Sequence, residues 1–505
     1  SGAAVRAAGR TLAVGGFSGA WEQYEIGNDV VKHNVWIASA PATSSEYFAL
    51  QGELRFPDNA TVIVDGQPRT GAFSTDAPIL VEYDGYRIRL EAPFAFESRN
   101  PGVRVSGRYE GEVRGTMLRL AMAVPSAWLR DPSRAFPVVL DPTATGIIDT
   151  STSSTPTGGP HQRNVFHDGT YFWAFYHDGT TVQYEPSVDG LSWVTTKNAA
   201  FTTGGIVKVS AWFHDGGATK IVYIVGDTGA TDSVRVRRGT ISGTTITWGT
   251  EVAVVISNKA EPKRPFITRD ASGYVWVASN TEEALNFDFA AARSTSVDDV
   301  SAWNARTTLL SASVSSTSIQ GVILPLGSGD MYALWYANGT VGGRKYSASN
   351  STWWASIESI ETTTSGVLTK APSATVDGSF NVHLVYVDSA GAAKYRQRTS
   401  SWGSATTLDS GSGNTYATIT RETSSGDLYA FWISSTNQIK SSRYSGSWSS
   451  VTLETNTIAK SALTSLYNVS SQANVAWAWS QGSALPYDVK FSVYGTSLNS
   501  RTIDT

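Results

Sequence analysis

Seven stretches decide the architecture of this chain: YFWAFY at 171–176, KIVYIV at 220–225, YVWVA at 274–278, MYALWY at 331–336, NVHLVYV at 381–387, DLYAFWI at 427–433 and NVAWAW at 474–479. Each is apolar or aromatic on both alternating faces, the pattern of a strand buried on two sides. With Trp173, Tyr223, Trp276, Leu334, Leu384, Phe431 and Trp477 taken as equivalent, the spacings are 50, 53, 58, 50, 47 and 46 residues. A second series, Trp193, Trp248, Trp303, Trp353, Trp402 and Trp448, follows each stretch but the last at 55, 55, 50, 49 and 46 residues. Two registers agree on one period, so the chain is a repeat array from about residue 143 onward.

Each unit reads as a strand, a polar turn, the aromatic strand, a second turn, a strand with Tyr, Lys or Arg, and a closing Ser/Thr-Trp. Four short strands per roughly 45–50 residues is the unit of a β-propeller blade. Seven blades are expected. A ring must close, and either Gly146 to Thr150 before the first unit or the tail Ser500 to Thr505 is the expected closing strand, since closure removes edges prone to aggregation.

Residues 1–142 differ in kind. Ser plus Thr number 16 there but 102 in residues 143–505. Period-two alternation in Thr61 to Val64, Tyr86 to Leu90, Val103 to Val105 and Met117 to Met122, with Asp65-Gly66 and Asp84-Gly85 turns, predicts strands with one solvent face. Arginine outnumbers lysine by 13 to 1 there, and cross-strand ion pairs are expected on the wet face. The fold class is therefore all-β: an N-terminal β-sandwich module over 1–142, then a seven-bladed β-propeller over 143–505. Thr143 to Gly159 has the composition of a linker or an exposed strand. Ser1 to Gly19 resembles neither a stable helix nor a full strand pair, and is expected to be a tail that docks onto a neighbouring subunit.

The charge balance of 39 basic against 43 acidic residues, with no basic stripe, argues against nucleic acid as a partner. No apolar run has the ~18 residues of a membrane span, and the start Ser1-Gly2-Ala3-Ala4 has no leader pattern, so a soluble chain, mature or never targeted, is expected. Cysteine is absent, which removes disulfides, thiolate zinc sites and a cysteine nucleophile. Only three methionines, 16% charged residues and 17 tryptophans suit an extracellular or cell-surface life.

Two resemblances add to this. Ser187-Val188-Asp189-Gly190-Leu191-Ser192-Trp193 resembles the Asp-box of sialidase-like propellers, shortened by one residue, and implies a fold without implying chemistry. Trp128 to Thr143, WLRDPSRAFPVVLDPT, resembles the ending of a β-rich module of large bacterial Rhs and wall-associated surface proteins, which implies an exported surface protein.

Sialidases of the Asp-box family grip a carboxylate with three arginines. Arg163, Arg264, Arg344, Arg396 and Arg421 stand at strand-like positions here, but the family's arginine-isoleucine-proline signature is missing, and its closest echo is Arg264-Pro265-Phe266-Ile267. Inter-blade hydrogen bonds are the expected role of these arginines. His161, His167, His177 and His214 crowd the first two units, three of them in His-Asp-Gly, read as strand ends before hairpin turns rather than as metal ligands. No catalytic, cofactor-binding or metal-ligating residue is assigned, and no cofactor is implied. The expected function is that of a secreted bacterial surface protein with a structural or adhesive role and no enzymatic one, including self-assembly as a homo-oligomer, sheath or filament. The alternative is carbohydrate binding, or sialidase-like hydrolysis, at the propeller mouth. Asn59, Asn338, Asn350 and Asn468 stand in N-x-S/T triplets.

Overall fold

The computed structural model describes the chain apart from residues 1–4, 9–10, 18–19, 27–30, 42–44, 57, 84–85, 91–92, 98–99, 142–143, 189, 191–192, 195, 229–232, 257–262, 284–285, 313–318, 338, 363–370, 455–456 and 495–505. The described residues are almost entirely strand, and the only α-helix among them is the single turn Ser126–Leu129. Two compact units divide the chain: 1–147 with 187–196 and 496–505, and 148–186 with 197–495.

The first unit is built from antiparallel sheets. One has the order Tyr47–Arg55, Met117–Pro125, Arg108–Arg114, Gly71–Thr75; another runs Val5–Ala8, Thr11–Phe17, Ala20–Ile26, Val31–Ile37, Val138–Asp141, Phe94–Glu97, Asn100–Ser106. A third places Tyr86–Leu90, Ile79–Tyr83, Thr61–Val64 and Gln67–Pro68 side by side. Inward residues Ile37, Val64, Val81, Leu118, Val124 and Leu140 meet in one core. Alternation along Met117–Pro125 is the expected one, with Leu118, Leu120 and Met122 inward. Asp65 and Gly66 hold φ of 52° and 75°, the left-handed pair that a two-residue hairpin turn requires. Arg119 on the wet face pairs with its cross-strand neighbour Glu53 at 2.8 Å, as the arginine count led us to expect. In the ending that resembles the surface module, the Arg134 guanidinium lies 3.9 Å over the Trp128 ring and bonds buried Glu97 at 2.8 Å.

Two expectations need correction. The N-terminal stretch is a strand pair, because Val5–Ala8 pairs antiparallel with Thr11–Phe17 inside the seven-stranded sheet. The stretch after Pro142 is no exposed linker: its strand Ala144–Ser151 buries Ile148 and Asp149, and the residues from Pro156 to Phe166 are all buried.

Among the described residues the second unit shows seven sheets in chain order. Their innermost strands are Val165–His167, Lys208–Asp215, Lys263–Arg269, Gln320–Pro325, Ser373–Val376, Thr415–Glu422 and Lys460–Ser465. Each innermost strand touches the next, and the seventh touches the first, so the circuit is closed. The stretches first read from sequence are the second strands, and Phe172–His177, Met331–Ala337, Val382–Val387, Leu428–Ile433 and Ala476–Gln481 are buried along their whole length. This is the packing of a β-propeller, whose sheets face one another around an axis. The seventh sheet runs Lys460–Ser465, Ala476–Gln481, Tyr487–Val493 and then the strand Ala144–Ser151 from before the first repeat. The alternative closing strand, Ser500 to Thr505, lies outside the described residues.

The closing tryptophans fall into three groups. Trp248, Trp353 and Trp448 lie on strands of the second, fourth and sixth sheets, while Trp303 and Trp402 make isolated bridges to Ser294 and Arg398. Trp193 departs from the pattern: it pairs with Arg87 in the first unit, and Asn198–Ala199 fills the fourth place in the first sheet.

Candidate functional site

The centre of the ring is filled from the sequence that joins the closing strand to the first sheet. Gly158, at φ 75°, makes the bend, and a Cβ there would meet the Gln162 side chain at 2.4 Å. Thr157 donates to the Ala462 carbonyl, Gln162 Nε2 to the Pro265 carbonyl at 3.2 Å, and Thr464 Oγ1 returns a bond to the Gln162 carbonyl at 2.8 Å. Arg163 then reaches across: Nη2 donates to the Ala374 carbonyl at 2.8 Å, and Nη1 to Thr418 Oγ1 and Ser465 Oγ, both at 3.1 Å, and to the Ser465 carbonyl at 3.2 Å. One side chain thus ties the fifth, sixth and seventh sheets to the first. Burial lowers its pKa to about 10. His161 is buried too, and burial followed by the nearby Arg264 charge lowers its pKa to about 3, so it is neutral.

The other arginines are dispersed. Arg421 donates to the Val376 carbonyl at 3.1 Å and shares the Tyr467 environment with Arg163. Arg264, at φ 55°, has its backbone N–H on buried Asp227 at 3.0 Å. Arg344 donates to the carbonyls of Trp354 and Leu309, and Arg396 turns to a neighbouring sheet's glutamate. Fixed carbonyls and hydroxyls occupy both terminal nitrogens of Arg163, and among the described residues no carboxylate-gripping triad forms around it. The histidines stand at strand ends as the turn reading requires: Nδ1 of His167 and of His177 accept the N–H of Gly169 and Gly179 at 3.2 and 3.1 Å. His214 lies on Lys208–Asp215 one residue before Asp215, whose carboxylate accepts the Gly217 N–H at 2.9 Å. Among the described residues no three His, Asp or Glu side chains gather to hold a metal. Asp189, Leu191 and Ser192 of the Asp-box-like stretch lie outside the described residues; Trp193 Nε1 donates to the Gly190 carbonyl at 3.1 Å, and Trp303 Nε1 repeats that geometry on Val300 at 2.9 Å. Asn59, Asn350 and Asn468 are exposed, and Asn338 is outside the described residues.

A second polar assembly lies between the fourth and fifth sheets. Glu358 and Glu361 bound the strand Glu358–Glu361 of the fourth, and Arg396 and Arg398 face them from Ala393–Arg398 of the fifth. Arg398 grips Glu358 with two bonds, Nε at 2.8 Å and Nη2 at 2.6 Å, the planar fork that only arginine offers. Tyr332 donates its phenol to Glu358 at 2.8 Å, Trp402 Nε1 donates to that phenol at 3.0 Å, and Tyr386 donates to Glu361 at 2.8 Å beside Arg396 at 3.2 Å. The glutamate side chains retain 27% and 17% of their exposure, and Trp402 is half-buried, so the seam opens to solvent. Sequence reading named Arg396 and Trp402 but missed Glu358, Glu361 and Arg398; the spacings Glu-x-x-Glu and Arg-x-Arg in successive repeats were the available signal.

Other seams hold simpler versions. Tyr223 of the second sheet and Arg269 of the third both bond Asp298, at 2.7 and 2.5 Å, and Trp432 and Lys440 of the sixth bond Asp409 of the fifth, each at 3.0 Å. Burial pushes the Glu358 pKa up, but the Arg398 and Tyr332 hydrogen bonds outweigh it and hold the group below its ordinary value. For Asp298 the Arg269 hydrogen bond is the leading cause of a downward shift. A depressed carboxylate stabilises the fold in full above its unfolded pKa of roughly 4 and loses that stabilisation as pH falls through the folded value. The melting temperature should therefore fall steadily from pH 5 to pH 3, and an unchanged value over that window would contradict the ion-paired seams.

The sequence matches no protein-family model, and no curated protein matches it. Among solved structures the chain is similar to the BP39L lectin of Burkholderia pseudomallei at 11% identity, TM-score 0.49, over 70% of this chain and 97% of that one. A PL25 polysaccharide lyase, an ulvan lyase bound to -[GlcA(1-4)Rha3S]-, gives 8% identity and TM-score 0.48 over 70% and 97%. The six-bladed Aleuria aurantia fungal lectin gives 14% identity and TM-score 0.40 over 59% and 99%. Likeness at this level says nothing of activity, and the functional reading rests on the seam's own residues.

Proposed function

We propose that the second unit is a seven-bladed propeller that binds carbohydrate without cleaving it, at the seam between its fourth and fifth sheets. The first unit is then a β-sandwich module of an exported bacterial surface protein, and the whole serves adhesion. The observation that carries the reading is the Arg398–Glu358 fork beside Tyr332 and Trp402. A guanidinium and a carboxylate held in one plane offer a donor and an acceptor at the spacing of neighbouring sugar hydroxyls, and an indole face covers the apolar side of a pyranose. Hydrolysis would need a carboxyl group that keeps its proton near neutral pH. Glu358 is held in the opposite direction, which suits binding. Self-assembly into a sheath or filament is a further proposal, and the sheet-edge strand Val5–Ala8 would be its pairing surface.

The test is a glycan array followed by calorimetry on the best ligand. Trp402→Ala and Glu358→Gln should each weaken binding by about tenfold or more, the equivalent of roughly 1.4 kcal/mol. Val255→Ser, at an exposed residue of the second sheet, should leave binding unchanged. Equal affinity in all four proteins would remove the seam from the binding site.

A further inference from the structure

The seam where the ring closes holds more acceptors than hydrogens. Ala144–Ser151, the strand that completes the seventh sheet, carries Asp149, and the first sheet brings to it Tyr176 on Phe172–His177 and Glu185 on Val182–Ser187. The Tyr176 oxygen lies 2.8 Å from Asp149 Oδ2 and 2.6 Å from Glu185 Oε1. A phenol has one hydrogen and an ionised carboxyl group has none, so with both acids ionised one of these contacts lacks a donor. Ionising the phenol is no remedy, because burial, and after it the two acids, push its pKa well up. All three side chains are buried, Glu185 to 1% exposure, where two like charges on one hydroxyl are strongly disfavoured.

The surrounding charges show which acid holds the missing hydrogen. Lys197 Nζ bonds the same Asp149 oxygen at 2.6 Å and keeps the negative charge there. Asp178, in the turn after Phe172–His177, acts on that lysine as well, so three acids share one cation. The other ionisable groups of these strands give no further cation. Alternation turns His177 away from the face of Tyr176, and Tyr184 packs on Trp248 of the second sheet. On Tyr487–Val493, Phe491 meets Phe172 of the first sheet at 5.2 Å, so Tyr487 shares that near face while Asp488 and Lys490 lie on the far one.

We propose that Glu185 keeps its proton in the folded chain and that this proton is a pH-sensitive latch on ring closure: Glu185 donates to the Tyr176 oxygen, Tyr176 donates to Asp149, and Asp149 meets Lys197. An unfolded glutamate loses its proton near pH 4.3, roughly, and the folded Glu185 only at higher pH. Between those values the folded chain binds more protons than the unfolded one, so stability falls as pH rises through the window. Glu358 and Asp298 act in the opposite sense, toward acid. Once Glu185 ionises, two carboxylates compete for one phenol hydrogen and the closing strand loosens from the first sheet. The latch is independent of carbohydrate binding between the fourth and fifth sheets.

Infrared spectra of the whole chain at pH 7, edited with isotope-labelled glutamate so that buried Asp227 does not contribute, test the proton directly. A carbonyl band of a protonated glutamate is the expected result, and its absence would overturn the assignment. This reading needs only the parent chain, so it stands whatever the stability of any variant. Thermal scans read the latch itself. Glu185→Gln keeps a hydrogen for Tyr176 and cannot ionise, so its melting temperature should gain about 5 °C on the parent's between pH 5 and pH 8, and the glutamate band should vanish. A difference between the two proteins that stays constant over that range, or a band that survives the substitution, would contradict the proposal.

Discussion

Arg163→Met should cost the second unit about 3–5 kcal/mol, enough to lower the melting temperature by roughly 10 °C. The substitution keeps the volume and removes a buried charge, and a buried charge is itself expensive, so the sign needs argument. What decides it is the fixity of the acceptors. The carbonyls of Ala374, Ser465 and Leu466 and the hydroxyls of Thr418 and Ser465 belong to three different sheets. None of these backbone groups can turn toward water at the ring centre, so methionine leaves several acceptors buried and unmet. Against a typical total stability of about 5–15 kcal/mol the loss is severe. Arg163→Lys should be nearly as damaging, because a single ammonium cannot span directions that the planar fork covers. Urea unfolding followed by tryptophan fluorescence reads the effect, and a variant within 1 kcal/mol of the parent would show that the cross-ring bonds contribute little.

Ile148→Asp should be comparably destructive by a different route. Ile148 is 3% exposed on the strand that completes the seventh sheet, next to Asp149, which already accepts the Tyr176 phenol at 2.8 Å and pairs with Lys197 at 2.6 Å. A second carboxylate there enters an apolar site with no cation assigned to it, at a cost of about 3–5 kcal/mol. The loss also acts on closure, since a ring whose last sheet lacks its fourth strand presents an open edge. Lower stability together with concentration-dependent aggregation is the expected result, measured by thermal scanning with light scattering. Ile148→Val, which keeps shape and polarity, should behave as the parent chain within about 1 kcal/mol.

How much of this was legible in the sequence follows from where the information is stored. The second strands were readable because burial on two faces forces an unbroken apolar run, and nothing else in a charge-poor, Ser/Thr-rich chain looks like one. Closure was readable only as a choice between Gly146 to Thr150 and the tail Ser500 to Thr505; the first has strand character and no place in the first repeat, and it is the one that pairs in the seventh sheet. The stretch from Thr143 to Gly159 was read as a linker or an exposed strand, since Pro, Gly and Thr signal a loop equally well at the surface or in the middle of a ring; the burial of its end from Pro156 onward is revealed by the cross-ring bonds there, whose partners lie some 100 to 300 residues away. The same distance hid the seam. Glu358 and Arg398 lie 40 residues apart in different repeats, and their meeting depends on the stacking of two sheets. Trp193 escaped its repeat for a third reason: strand pairing with Arg87 competes for it, and a sequence register cannot see the competitor.

The claim that matters most is that the seam binds sugar through the Arg398–Glu358 fork and Trp402. Calorimetric titration of the strongest array ligand into the parent chain and into Trp402→Ala, at pH 7 and constant salt, tests it directly. Saturable binding by the parent and a loss of about tenfold or more in a variant still folded at the titration temperature are the predicted results. Binding that survives the substitution undiminished, or an array on which no glycan binds, would contradict it.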